Sequence, residues 1–195
     1  MRRRLTWWLG LMATSTLLAL MPAAHAQPAA AAADPWAALR NGEAVIVVFR
    51  HANAPGGGDP PGMSLTDCAS QRNLDAEGRE QARRIGERLR SEKVMVGAVW
   101  ASRWCRTRET AELLGMGPVK EVPDFNSLFG NRNGEPAQTA SARERLLGWR
   151  GPGVLVVVTH QGNIAPLFGV LPASGEGVVL RRDGARLDVV ARVLP

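Results

Sequence analysis

Three short runs of the chain are apolar without alternation: residues 44–49 (AVIVVF), 96–100 (VGAVW) and 154–159 (VLVVVT). Runs of that length, rich in β-branched residues, predict strands buried on both faces, as in a parallel sheet covered by helices. Between them the period lengthens. Over residues 75–93, Ala82, Ile85 and Leu89 recur at three- and four-residue steps among Arg and Glu, which predicts an amphipathic helix with Asp75 as its cap. Helices are also predicted over 104–114, with Gly115 as the stop, over 139–149, and over 164–168. Residues 119–122 read as a short strand. The tail from Gly175 reads as a hairpin turning at Asp183-Gly184. Strands alternating with helices, then a hairpin, imply a three-layer α/β/α sandwich with a mostly parallel mixed sheet. A long Gly/Pro-rich loop, residues 53–73, separates the first strand from the first helix, and no internal repeat is visible.

The N-terminus has the three parts of a secretory signal over residues 1–26: Arg2, Arg3 and Arg4, an apolar stretch from Leu5 to Met21, and the small-x-small site Ala24-His25-Ala26. An uncleaved anchor is the alternative, since the apolar stretch approaches the length of a membrane span. Pro22 and the cleavage tripeptide favour removal, which implies an exported, periplasmic protein with no stable membrane span afterwards. Residues 27–37 begin as the low-complexity stretch QPAAAAADP and read as a tether, which leaves 38–195 as one domain.

Charge adds little. The chain carries 24 Lys+Arg and 18 Asp+Glu, a formal +6. Without the three signal arginines the balance is 21 against 18, or +3. No long run of one sign occurs, so a nucleic-acid partner is not indicated, while a small anionic ligand fits. Cys68 and Cys105 are the only cysteines. An even pair in an exported chain suggests a disulfide, with two separate thiols as the alternative. They share no metal-ligand spacing with each other or with a histidine.

After the signal only His51 and His160 remain, and each follows a buried run. The carboxyl ends of such strands form the ligand crevice of open α/β sheets. A neutral imidazole is a good nucleophile toward phosphorus. The preceding Arg50 offers a fork for two phosphate oxygens. The segment SRWCRTRETA opens a helix directly after the second strand, so its first turn offers amide donors to an anion. Arg103 and Arg106, three apart, could share a face while Arg108 points elsewhere, and at least one arginine of this segment is expected to reach the crevice. Each of these arginines has a surface role as its alternative. The four tryptophans after the signal read as packing, with Trp104 set apart by its place beside Arg106.

Together these residues resemble the histidine phosphatase superfamily, the phosphoglycerate-mutase-like fold, from Ala44 almost to the end. The family's Arg-His-Gly opening is similar to Arg50-His51-Ala52, with Ala in place of Gly. Its Leu-Thr-x-x-Gly-x-x-Gln-Ala helix resembles Leu74 to Ala82, and its Ser-x-x-x-Arg-x-x-x-Thr-Ala signature is met by Ser102, Arg106, Thr110 and Ala111. His160 matches the second histidine. The resemblance implies a phosphomonoesterase in which His51 becomes phosphohistidine. Arg50, Arg106 and His160 would bind the phosphoryl oxygens, with His160 as a charged donor whose loss of a proton lowers activity. It implies neither a metal nor an organic cofactor. Arg72 and Asn53 are candidate substrate-binding residues from the long loop, Arg72 with a surface salt bridge as its alternative. A Cys68–Cys105 bridge would tie that loop to the helix carrying Arg106.

One part of the family's pattern is missing. Where many members carry a glutamate as general acid, this chain has Asn126 or Ser127, and Gln161 follows the second histidine where another branch has an acid. Glu121, Asp124 and Glu135 are the nearby candidates. The segments TDCASQRNL and VTHQGNI, with the Gly-Glu pair at Glu176, resemble an exported subgroup of lipopolysaccharide core heptose phosphatase-like proteins, which implies a cell-envelope sugar phosphate as substrate. The alternatives are a mutase, a phosphate- or phosphosugar-binding protein of the same fold with little turnover, and a two-histidine metal protein lacking a third ligand.

Overall fold

The computed structural model describes residues 34–43 and 45–194. The expected export signal and most of the tether lie outside them. Six strands form one sheet in the order β3-β2-β4-β1-β5-β6. The strands β1 (Ile46–Arg50), β2 (Val96–Ala101), β3 (Val119–Glu121) and β4 (Val154–Thr159) run parallel, and β5 (Gly177–Asp183) and β6 (Arg186–Val193) add an antiparallel hairpin beside β1. The mixed α/β sheet expected from the sequence is therefore present.

Alternate residues of the central strands feed two cores, as the two-residue period requires. Val47, Phe49, Val99, Val156 and Val158 meet Ile85 and Leu89 of α2 (Ala76–Ser91) and Ala111 of α3 (Cys105–Leu113) on one face. Ile46, Val48, Leu155 and Val157 meet Leu146 of α4 (Glu135–Leu147) and Ile164 of α5 (Gln161–Phe168) on the other. Strands β1 and β4 are buried on both faces, which is why they carry no alternation. Asp75 caps α2 as expected, its carboxylate accepting from the Gly78 amide at 2.7 Å.

Several boundaries differ from the sequence reading. Trp36, the cap of α1 (Ala37–Arg40), and Leu39 within it are buried against the first core, so packing begins inside the stretch read as a tether. Helix α4 starts at Glu135, four residues before its apolar period begins, because Pro136 suits a first helical turn. Helix α5 reaches back to Gln161, directly after His160. The hairpin turns at Gly184-Ala185, one residue later than expected.

Cys68 and Cys105 form a disulfide across 37 residues of sequence. It joins the long loop to the first residue of α3, and closing a loop of that length stabilises the fold by roughly 4 kcal/mol in the chain-entropy model. No helix among the described residues is long and apolar enough to cross a membrane.

Candidate functional site

Three neighbouring parallel strands deliver the site. Strands β1 and β4 pair with Arg50 opposite Thr159, so the next residues, His51 and His160, emerge side by side. Their ring centroids are 5.5 Å apart. Strand β2 lies on the other side of β4 and leads through Ser102 into α3, which carries Arg106. With Arg72 from the long loop, these side chains line a cleft of about 450 Å³ at the carboxyl ends of the strands.

The ring of His51 is 2% exposed, and its Nδ1 donates to the Ala52 carbonyl at 2.8 Å. That bond places the proton on Nδ1 and leaves the lone pair on Nε2, the tautomer a nucleophile needs. Burial, reinforced by Arg106, Arg72 and Arg50, pushes the His51 pKa down to about 3. The nucleophile is thus neutral through the whole mildly acid range.

His160 departs from the expectation of a charged donor. Its Nε2 donates to Ser102 Oγ at 2.8 Å, and its Nδ1 accepts from Arg106 Nη2 at 3.4 Å. A doubly protonated ring has no acceptor to offer an arginine. Burial, with His51 and the three arginines nearby, holds its pKa well below the ordinary histidine value, which favours the neutral ring.

Both histidines therefore bind protons less readily folded than unfolded. Their contribution to stability is complete above the unfolded value of about 6.5 and is lost as pH falls toward the folded values. For His51 alone the loss between pH 7 and pH 5 is about 2 kcal/mol. Thermal midpoints in a phosphate-free buffer are expected to fall over that interval, and the slope is expected to flatten in His51→Asn. An unchanged slope would mean that the ring is solvated.

The arginines are unequal. Arg50 is half-buried and donates from Nη1 to the Pro172 carbonyl at 3.0 Å. Arg72 donates to the Ala54 carbonyl. Arg106 is 2% exposed. The Nε groups of all three are buried without a hydrogen-bond partner among the described residues, and burial lowers the pKa of Arg50 and Arg72. Such a cluster suits an anion with several acceptor oxygens.

Arg103 does not share the pocket with Arg106. It turns with Arg108 to Glu121 on the outer surface. The amides leading into α3 are engaged, Arg103 with Asn126 Oδ1 and Trp104 with Ser102 Oγ, as is that of its first residue, Cys105 with Gln71 Oε1. The start of α3 delivers the side chain of its second residue, Arg106, to the cleft.

The remaining family-matching residues are braces. Gln81 accepts from the Asn53 amide at 3.0 Å and donates to the Ser174 carbonyl at 2.8 Å, tying two walls of the cleft to α2. A Cβ on Gly78 would stand 2.0 Å from the Asn53 carbonyl oxygen, so only glycine lets α2 approach this loop. Thr110 Oγ1 accepts from the Ala52 amide at 3.1 Å. Asn53 lines the cleft, but its side-chain amide donates to Asp75 at 2.8 Å. Glu176 backs the site, pairing with Arg192 and accepting from the Ala173 amide.

None of the three proton-donor candidates reaches the cleft. Glu121 pairs with Arg103 and Arg108, Asp124 pairs with Arg145, and Glu135 opens α4 beside a separate groove. The carboxylate that does line the cleft is Asp59, which the sequence reading missed. It forms a two-bond pair with Arg106, Nη1 to Oδ1 at 2.7 Å and Nη2 to Oδ2 at 3.2 Å. Burial pushes its carboxyl up, but the bonds from Arg106, the Arg72 amide and the Trp104 indole outweigh that and hold it below the usual carboxylate range. Among the described residues, no three His, Cys, Asp or Glu converge as a ligand set for a metal ion.

The profile of the histidine phosphatase superfamily (branch 1) matches residues 46–153. A search of the curated proteins found no match. Among solved structures, the protein histidine phosphatase SixA complexed with tungstate aligns with a TM-score of 0.55 at 17% identity, covering 77% of this chain and 96% of that one. Phosphoserine phosphatase from Entamoeba histolytica, in complex with 3-phosphoglyceric acid, aligns with a TM-score of 0.58 at 12% identity, covering 75% and 95%. A mycobacterial glucosyl-3-phosphoglycerate phosphatase aligns with a TM-score of 0.52 at 18% identity, covering 74% and 96%. At such identities the likeness is one of fold.

Proposed function

The chain belongs to the histidine phosphatase superfamily, branch 1, and from that premise we propose that it is an exported phosphomonoester hydrolase working through a phosphohistidine on His51. The observation that carries this reading is the pairing of a neutral His51, proton on Nδ1, with Arg50, Arg72, Arg106 and His160 around one cleft. His51 Nε2 forms the bond to phosphorus, and the ester oxygen leaves with the bonding pair. The guanidinium groups hold the other phosphoryl oxygens and offset charge as it spreads onto them. An arriving dianion favours the charged form of His160, so the ring takes up a proton on binding and then donates to phosphoryl oxygen. Water subsequently hydrolyses the N–P bond.

The proposed substrate is a small phosphorylated molecule of the cell envelope, a sugar phosphate being favoured. The cleft is open, polar and edged by Ser127 and Gly162, and Phe129 stands exposed at its rim. The sequence signal for export and the disulfide both fit an oxidising compartment.

The direct test is hydrolysis of 4-nitrophenyl phosphate by the mature protein, with and without a chelator, beside calorimetric titration with orthophosphate. Turnover untouched by the chelator is expected. Tight orthophosphate binding with no turnover on any ester would make the protein a phosphate-binding relative. Loss of turnover on chelation would transfer the chemistry to a metal.

A further inference from the structure

Asp59 holds the group that the phosphoryl oxygens need. The fork of Arg106 is filled by its carboxylate, which also accepts from the Arg72 amide at 3.1 Å and from Trp104 Nε1 at 3.0 Å. Two carboxylate oxygens match two phosphoryl oxygens in spacing and charge, so both anions compete for one fork. Asp59 follows Gly56, Gly57 and Gly58; a Cβ at Gly57 would meet nothing within 4 Å, whereas one at Gly58 would stand 2.9 Å from the exposed ring of Phe129, so the segment is open at Gly57 and rests on a rim side chain at Gly58. No other lining residue of the cleft is a carboxylic acid.

Building on the phosphomonoesterase reading, we propose that Asp59 yields the fork of Arg106 to the incoming phosphoryl group and then supplies the proton that the leaving oxygen takes. Deprived of Arg106 and set beside a phosphoryl dianion, the carboxylate binds a proton from solvent. As His51 Nε2 bonds to phosphorus and the P–O bond breaks, the departing oxygen takes that proton and leaves as an alcohol, and Asp59 returns to carboxylate. In the second half the carboxylate takes a proton from the attacking water. The new O–P bond forms, the N–P bond breaks, and its electron pair returns to Nε2. Release of orthophosphate then lets Asp59 lose its proton and rejoin Arg106. The sum is ester plus water to alcohol plus phosphate.

The experiment compares Asp59→Asn and Asp59→Glu with wild type on two esters. One is 4-nitrophenyl phosphate, whose leaving group needs no proton, and the other is glycerol 2-phosphate, whose leaving group does. Asp59→Asn is expected to lose about 10²–10⁴-fold in kcat/KM on glycerol 2-phosphate and less than about tenfold in kcat/KM on 4-nitrophenyl phosphate, since kcat/KM reads the step that releases the alcohol and the aryl oxide leaves unaided. Asp59→Glu restores part of the alkyl activity and serves where the asparagine variant fails to fold. Orthophosphate is expected to inhibit Asp59→Asn at concentrations at least about tenfold lower, because the fork no longer has a charged competitor. Equal losses in kcat/KM on both esters, no loss on either, or weaker inhibition by orthophosphate would overturn the proposal while leaving the phosphatase reading in place. A wild type that hydrolyses neither ester would overturn both.

Discussion

His51→Ala is expected to lower kcat/KM on 4-nitrophenyl phosphate by on the order of 10⁵-fold, the scale seen when a covalent nucleophile is removed. The fold is not expected to suffer in proportion. His51 makes one side-chain hydrogen bond, to the carbonyl of its own neighbour Ala52, and the backbone bond from its amide to Thr159 survives the substitution. The variant also relieves the burial of a group that protonates readily when unfolded, so below about pH 6.5 it retains more of its stability than wild type. A large catalytic loss with a preserved or improved midpoint at pH 5 therefore separates chemistry from folding. An activity loss of tenfold or less, with the protein folded, would remove His51 from the role of nucleophile.

Arg106→Ala is the second large effect, with a loss of about 10²–10³-fold in kcat/KM. Unlike His51, Arg106 is also structural. It is almost fully buried, it pairs with Asp59, and its Nη2 donates to His160. Removing it leaves the Asp59 carboxylate with only the Arg72 amide and the Trp104 indole, and removes one of the two side-chain bonds to His160, the other being with Ser102. Breaking one side of such a pair costs about 3–5 kcal/mol when the remaining charge stays buried, and the cost here lies at the low end because Asp59 is partly exposed. Arg106→Lys separates the two consequences. A lysine restores a positive charge opposite Asp59 but cannot hold two oxygens in a planar fork. Stability is expected to recover further than kcat/KM, as read from urea midpoints beside initial rates. Full recovery of activity in the lysine variant would show that charge alone suffices.

Much of this site is written locally in the chain. The three apolar runs needed no tertiary information, because a strand buried on both faces has no reason to alternate. His51 and His160 stand at the ends of two of those runs, and the in-register pairing of β1 with β4 makes them neighbours. Arg106 follows from its place one helical turn past the end of β2. What stayed hidden depends on contacts between distant segments. Asp59 lies 47 residues from Arg106, in a glycine- and proline-rich loop with no periodic signal. That loop holds two acids, Asp59 and Asp67, and nothing local marks which of them faces the cleft. The pairing of Arg103 with Glu121 was hidden for the same reason, since helical spacing predicts a shared face but not which neighbour competes for the guanidinium. The neutral state of His160 depends on its depth and on the cations around it, neither of which composition reveals.

The central claim is that phosphoryl transfer passes through His51. The direct measurement is rapid quenching into alkali of the protein turning over a ³²P-labelled phosphomonoester, followed by digestion and mapping of the label. A label on the peptide containing His51, stable in alkali and lost in acid, and absent from His51→Ala, is the expected result. Undiminished turnover in His51→Ala, with no label trapped on the wild-type protein, would contradict it.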